Sequence, residues 1–303
     1  MNADLESLAR QLEQHPDFRV LRRLQPREQF AESQPGHTTC RGLILDTETT
    51  GFDLENDRVI ELGMLLFEFD PQDGRVLRVL EAFDQLEDPG FPIPPASTEI
   101  HHITDDMVRG QRIDDAQVQR LTQGVEVVIA HNAGFDRPFV EQRWPVFQNL
   151  RWACSLKDID WRQEGFGSAK LDYLLYTQGL FHEAHRAEAD CWALLEILSG
   201  VLPQSQQTAL LTLLEKLNQS QLKIYAIGSP FETKDKLKTR GYRWSGDLRC
   251  WSRIVSGERE YQDELAWLRH HVYADRKARV EVEQLGAQVR HSNREGHKEV
   301  VTL

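Results

Sequence analysis

The sequence predicts an α/β protein, a mixed sheet flanked by helices, followed by a small α+β unit. Three observations predict it. Apolar strand-like runs between residues 43 and 83 succeed one another across short turns, as in a meander. Beyond residue 114 helical and strand periods alternate, which places helices over the faces of a partly parallel sheet. Near residue 220 the composition turns basic, and a shorter set of strand and helix patterns begins.

In chain order, residues 1–38 read as a helical leader. Leu5, Leu8 and Leu12 form a stripe, and the polar run EQFAESQPGHTT follows as a connector. Strands are expected at Leu43–Glu48, Arg58–Phe67 and Arg75–Phe83, with Gly51 and DPQDG as turns. The stretch DPGFPIPPAS, Asp88–Ser97, is too rich in proline for a central strand, because proline lacks the ladder donor. A helix is expected at Asp114–Gln123, a buried strand at Val125–Ala130, a helix at Phe135–Trp144 and a short strand at Trp152–Ser155. Helices near Lys170–Gln178, Arg186–Leu198 and Thr208–Leu217 complete a domain spanning 39–218. The accessory region 221–303 offers the strand KIYAI, a helix at Glu232–Arg240 ended by Gly241, and a hairpin through YRW and CWSRIV. Glu258–Tyr273 is a helix with Leu265, Leu268 and Val272 on one face; RVEVEQL is a strand, and the tail is otherwise polar.

Bulk properties narrow the function classes. At 303 residues, 40% hydrophobic and 28% charged, the composition is that of an ordinary globular protein. No apolar run approaches the ~18 residues of a membrane span, so no membrane partner is expected. The acidic, amphipathic N-terminus lacks the blocks of a signal peptide, and four scattered cysteines without a CxxC pair suit reduced thiols. A cytoplasmic location is expected. The net charge of −12 argues against phosphate binding, yet it is unevenly spread. From Gln221 onward 16 basic residues face 12 acidic ones, a local +4. An acidic enzyme can also bind a phosphodiester through metal ions.

The chemistry lies in acids at the ends of apolar elements. In GLILDTETTGF, Asp46 and Glu48 stand two apart on a strand and so share a face, where each raises the other's pKa. In VVIAHNAGFDRPF a buried strand turns into a helix that carries Asp136. In HEAHRAEADCWALLEIL, His185 precedes a helix with Asp190 in its first turns. Four converging carboxylates would repel one another, and divalent cations with oxygen preference relieve this. Two such ions about 3.5–4 Å apart clamp in-line phosphoryl displacement. Histidine, with an unperturbed pKa near 6.5, suits removal of a proton from water. His131 is expected to anchor its loop, and Cys154 and Cys191 to be small core residues. His182 and His185 form an H-x-x-H without the third soft ligand that zinc needs.

DTETTG, AHNAGFD and the His185–Asp190 spacing resemble the three motifs of the DEDDh exonucleases, over residues 40–200. The resemblance implies an RNase H-like fold and 3′-to-5′ hydrolysis releasing nucleoside 5′-monophosphates. It implies two Mg²⁺ or Mn²⁺ ions, with Asp46 shared, Glu48 and Asp190 on the water-side metal, Asp136 on the leaving-group metal, and His185 as general base. Around the terminal nucleotide it places Thr49, Thr50 and Phe52. EIHHIT resembles a base-pocket segment, so Ile100, His101 and Ile103 would touch the nucleotide there. His102 stands where glycine is usual, a position that favours positive φ.

The expected substrate is single-stranded DNA or frayed 3′ ends, in repair, turnover or proofreading. RNA 3′ ends are the nearest alternative, since the two differ by contacts to the 2′-OH. A polymerase-associated scaffold is a second alternative. QSQLKI, Gln219–Ile224, approximates a sliding-clamp-binding peptide, which would add a clamp to a DNA polymerase as partner. In the accessory region, Lys234, Lys238, Arg240, Arg243, Trp244 and Trp251 interleave cations with rings, a pattern suited to nucleic acid. The opposing expectation, slightly preferred, is that Tyr242, Trp244 and Trp251 simply form a core. The same phrase resembles a module appended to other bacterial exonucleases, which implies kinship and no function.

Overall fold

A computed structural model describes residues 3–303 and divides the chain into two units, with the break between Lys216 and Leu217. The first is built on a five-stranded sheet: β1 (Cys40–Thr49), β2 (Val59–Phe69), β3 (Val76–Leu86), β4 (Val125–Ala130) and β5 (Trp152–Cys154). The spatial order is β3-β2-β1-β4-β5. The meander pairs antiparallel, whereas β4 joins β1, and β5 joins β4, in parallel. That change of sense is what the switch from meander to alternating helix and strand predicts.

Helices are α1 (Ala3–Glu13), α2 (Pro95–His101), α3 (Asp115–Leu121), α4 (Ala133–Arg143), α5 (Leu171–Thr177), α6 (Ala187–Ser199) and α7 (Ala209–Asn218). One sheet face packs Leu43, Leu45, Leu62 and Met64 against α3, α4 and the buried rings of Phe147 and Trp152. On the other face α6 approaches β2 closely at Gly63. A Cβ on Gly63 would land on the main chain of Ala187 and Glu188, so only glycine fits. Cys191 Sγ donates to the Gly63 carbonyl at 3.4 Å, which sews the same crossing.

The leader carries the expected helix, α1. Its three leucines are exposed on α1, and Arg22 ties that helix down through Glu6 and Glu13 at 2.8 and 2.6 Å. Arg22–Arg23 then run as a short parallel strand beside Leu180–Phe181. The proline-rich segment differs: its last residues open α2, because Pro95 at the first helical position loses no hydrogen bond. Among the described residues no helix is long and apolar enough to cross a membrane.

The second unit is a five-stranded antiparallel sheet, β6 (Gln221–Ala226), β7 (Arg243–Ser245), β8 (Cys250–Ser256), β9 (Arg279–Gln284) and β10 (His297–Thr302), in the order β10-β9-β6-β8-β7. Helices α8 (Lys234–Thr239) and α9 (Gly257–His271) bury Leu237, Leu268 and Val272's neighbourhood against Ile224, Val255, Val280 and Val282. Strand β10 replaces part of the expected polar tail; it pairs with β9 through the backbone and contributes little apolar surface, which is why no pattern marks it. The clamp-peptide reading of QSQLKI is corrected. Gln221–Ile224 lies in the central strand β6, laddered on both sides, so it is no accessible peptide. The aromatic trio also splits. Tyr242 is buried and Trp251 half-buried, but Trp244 is 53% exposed.

Candidate active site

The carboxylate site assembles at the carboxyl end of β1. Register pairing sets Asp46 opposite Gly63 and Glu48 opposite Glu61. Asp136 is carried there by α4 after Asn132, whose φ of 78° makes the sharp strand-to-helix turn. His131 braces this turn through Ser155 Oγ at 2.8 Å, a structural role. Asp136 is 2% exposed, and its Oδ1 accepts from the Thr47 amide at 3.1 Å and the Thr47 hydroxyl at 2.8 Å. Thr47 therefore joins the first motif to the second.

The third motif enters at the start of α6. His185 has φ 64°, and its amide donates to Asp190 Oδ2 at 3.0 Å. Glu48, His185 and Asp190 offer ligand atoms that all lie within 4.8 Å of one another. His182 Nε2 lies 2.6 Å from Asp190 Oδ1, and its Nδ1 lies 3.6 Å from Asp172. The H-x-x-H pair is thus divided: His185 faces the carboxylates, and His182 stands behind Asp190.

Electrostatics sets this cluster apart. Loss of water pushes the Asp46 carboxyl well above the usual range, and Asp136, Asp190 and Glu48 push it further. Glu48 is pushed up to about 8 by burial first and then by Asp190, Glu61 and Asp136. Asp136 rises to about 7 by burial, although the Thr47 hydrogen bonds oppose the rise. Such crowding of oxygen donors, with raised proton affinity and no cationic side chain of its own, is the donor set that fits a hard divalent cation. The nearest guanidinium, Arg186, is committed to Glu61 at 2.7 and 2.9 Å.

Several functional neighbours escaped the sequence reading. Glu61 is 0% exposed and holds the start of α6 by accepting from Arg186 and from the Ala187 amide at 2.9 Å. Its signal was present, an acid within the apolar run VIELGMLLF. Asp84 beside it is pushed up to about 6 by burial, with Glu61 and Glu188 adding. The bonding of Thr47 and His182 left no signal beyond their positions next to acids.

The expected nucleotide contacts divide by exposure, and the side-chain contacts of Ile103 and His101 need correction. Phe52 is 82% exposed with its ring edge-on to Phe135 at 5.8 Å, and Ile100 is also exposed. The others are supports. Thr49 and Thr50 are buried, with hydroxyls donating to Gly51 O at 2.6 Å and to Asp57 Oδ1 at 2.8 Å. Ile103 is 0% exposed and packs with Ile60, Ile93 and Val108, so its side chain cannot meet a nucleotide. His101 is buried too, accepting from the Ile103 amide at 3.0 Å. Between them His102 takes φ 60° at the end of α2, the left-handed conformation that glycine reaches more easily.

With this geometry in place, the comparisons with known proteins become interpretable. The RNase T exonuclease profile matches residues 43–198, which hold every element of the carboxylate site. The chain belongs to the RNase T exonuclease family. It is a DnaQ-like 3′-to-5′ exonuclease, and the family depends on divalent metal. The DNA polymerase III epsilon subunit of Treponema pallidum (strain Nichols) is 32% identical over 167 residues, 52% of this chain and 74% of that protein. The PolC-type DNA polymerase III of Lacticaseibacillus paracasei is 30% identical over 191 residues, 58% of this chain but 12% of that much longer protein. Among solved structures, exonuclease X in complex with 5′-overhanging duplex DNA is 27% identical over 56% of this chain and 99% of that one, with a TM-score of 0.39. The RNase T exonuclease match leaves the second unit outside its bounds.

Proposed function

We propose that this exonuclease removes nucleotides from the 3′ ends of single-stranded DNA or frayed duplexes, releasing nucleoside 5′-monophosphates, in DNA repair, turnover or proofreading. The observation that carries the reading is the convergence of acids from β1, α4 and α6 with proton affinities raised by one another. Asp46, Glu48, Asp136 and Asp190 would hold Mg²⁺ or Mn²⁺, two per site. Bound there, the cations supply Lewis acidity at the scissile phosphate. His185, exposed beside Glu48 and Asp190, takes the proton from the attacking water. His182 holds Asp190 from behind, and Phe52 and Ile100 offer the apolar wall for the terminal base. The choice of DNA is supported by the similarity to the epsilon subunit, a DNA polymerase component by name, and a polymerase is the partner that this likeness suggests. The same kinship and four free cysteines support a cytoplasmic location.

Matched DNA and RNA oligonucleotides of one sequence, 5′-labelled, test this with Mg²⁺, Mn²⁺ or EDTA. A ladder shortening from the 3′ end of DNA, faster than of RNA and absent in EDTA, is expected. Hydrolysis that survives EDTA would sink the metal mechanism, and faster loss of RNA would overturn the DNA assignment.

A further inference from the structure

We propose that the second unit grips single-stranded DNA in the groove between α8 and α9, with Trp267 as a base platform. The identity of the strand rests on the DNA reading above; the groove itself does not. It is an open groove of about 630 Å³ lined by Asp235, Lys236, Thr239, Arg240, Trp267 and His271. That volume is within the range of small-molecule sites and has room for a nucleotide.

The groove is braced from behind. The buried ring of Tyr242 stacks on Trp267 with centroids 6.3 Å apart and planes at 21°. The Arg240 guanidinium lies 5.1 Å from the Trp267 ring centroid, and the His271 ring lies 5.5 Å away. Arg240 is held by its Nε, which donates to the buried Glu264 at 3.1 Å. Its terminal nitrogens make no hydrogen bond among the described residues. Lys236 Nζ reaches the His271 carbonyl at a long 3.4 Å and stays exposed. The groove thus gathers an indole, two side-chain cations and a histidine, with Asp235 on its lining and Glu264 behind Arg240.

Charge complementarity selects the occupant. The chain as a whole is acidic at −12, yet residues 231–253 carry seven Lys and Arg against three Asp and Glu. Cations beside a half-buried ring suit a strand whose phosphates and bases are both available, which a duplex does not offer. The hairpin ring singled out by sequence, Trp244, is exposed but packs edge-on against Trp251 at 5.6 Å, outside this groove. Because groove and active site share one chain, a strand held at one is presented to the other at raised effective concentration.

The test uses the full chain in EDTA, with fluorescein-labelled dT20 and dT3 followed by anisotropy. The wild type is expected to bind dT20 more tightly than dT3. Lys236→Glu should weaken dT20 about fivefold and reduce the salt slope by about 0.7 or more, as loss of a single-strand phosphate contact requires. Trp267→Ala should weaken it about tenfold, the value of one stacked base. Because Trp267 also supports Tyr242, a second readout is ultraviolet cross-linking of dT20 to the wild type, with the adduct expected on the α9 peptide holding Trp267. Unchanged dT20 affinity in Lys236→Glu, or cross-links that avoid that peptide, would overturn the groove. So would polyglutamate competing as well as dT20. Metal-dependent degradation in the wild type that persists alongside either result would leave the exonuclease reading standing, so the two failures are distinguishable.

Discussion

Two groups of acids in this molecule behave in opposite ways. In the second unit Glu264, 0% exposed, meets Arg240 at 3.1 Å and Arg253 more closely still, and Arg253 also reaches Glu260 at 2.9 Å. Every negative charge in that knot has a guanidinium beside it. In the first unit the buried Asp136 and the half-buried Asp46 and Glu48 have one another, while Arg186 makes its ion pair with Glu61. A buried acid with its own counter-charge is structure. A buried acid among other acids is a socket for charge that the polypeptide does not supply.

The largest effect that would break this contrast comes from Asp46→Asn. It should lower kcat by roughly 10³-fold or more, since several kcal/mol of charge stabilisation go with a metal ligand. The same variant should melt higher than wild type in EDTA near pH 8, because one of the repelling charges is gone. A lower melting temperature would mean that Asp46 is structural. His185→Ala should slow the single-turnover chemical step by about 10²- to 10⁴-fold. Titration with Mn²⁺ followed by paramagnetic resonance should find binding largely retained, and loss of binding would reassign the histidine as a ligand.

His182→Ala comes next. Freed of its rear partner, Asp190 should lose roughly 10–100-fold in metal affinity, with rescue by His182→Gln or Asn through the amide donor. Unchanged Mn²⁺ affinity would reduce His182 to packing. Glu264→Gln should destabilise the second unit by about 2–3 kcal/mol in denaturant melts, at the lower end for a buried pair because Arg240 is partly exposed. It should leave Mn²⁺ affinity unmoved, and an equal loss there would dissolve the contrast.

The last effect is in pH. The folded carboxyls of Glu48 and Asp136, pushed up to about 8 and about 7, bind protons that the unfolded chain has already released. Stability of the metal-free protein therefore falls as pH rises from about 5 through 8. The melting temperature in EDTA should decline over that window, and the gain on adding Mn²⁺ should be larger at pH 8 than at pH 6. A flat or rising melting curve would falsify the raised affinities.

Much of this was legible without coordinates. The alternation that puts Asp46 and Glu48 on one face is a period of two, and the helices after residue 114 announce themselves by theirs. What escaped depends on contacts across the chain. Glu61 meets Arg186, and Thr47 meets Asp136, only after the sheet closes and α6 docks. The left-handed turn at His102 hid the burial of Ile103 from a linear reading, and Trp267 meets Tyr242 only in the fold. Local periodicity writes elements into sequence; partners at long separation are written only in the fold.

Gly63 carries a consequence for how faithfully the site keeps its dimensions. With no side chain on Gly63, β2 and the start of α6 meet main chain against main chain at the residue paired with Asp46, and this contact gauges the separation of Asp46 from Asp190. Rotamer changes in the surrounding core leave such a gauge untouched. A single methyl there would act as a shim, and a displacement of about 1 Å is enough to cost roughly 10²-fold in rate. The tolerance of the cutting site is thus set by the one residue in it that has no side chain and takes no part in the reaction.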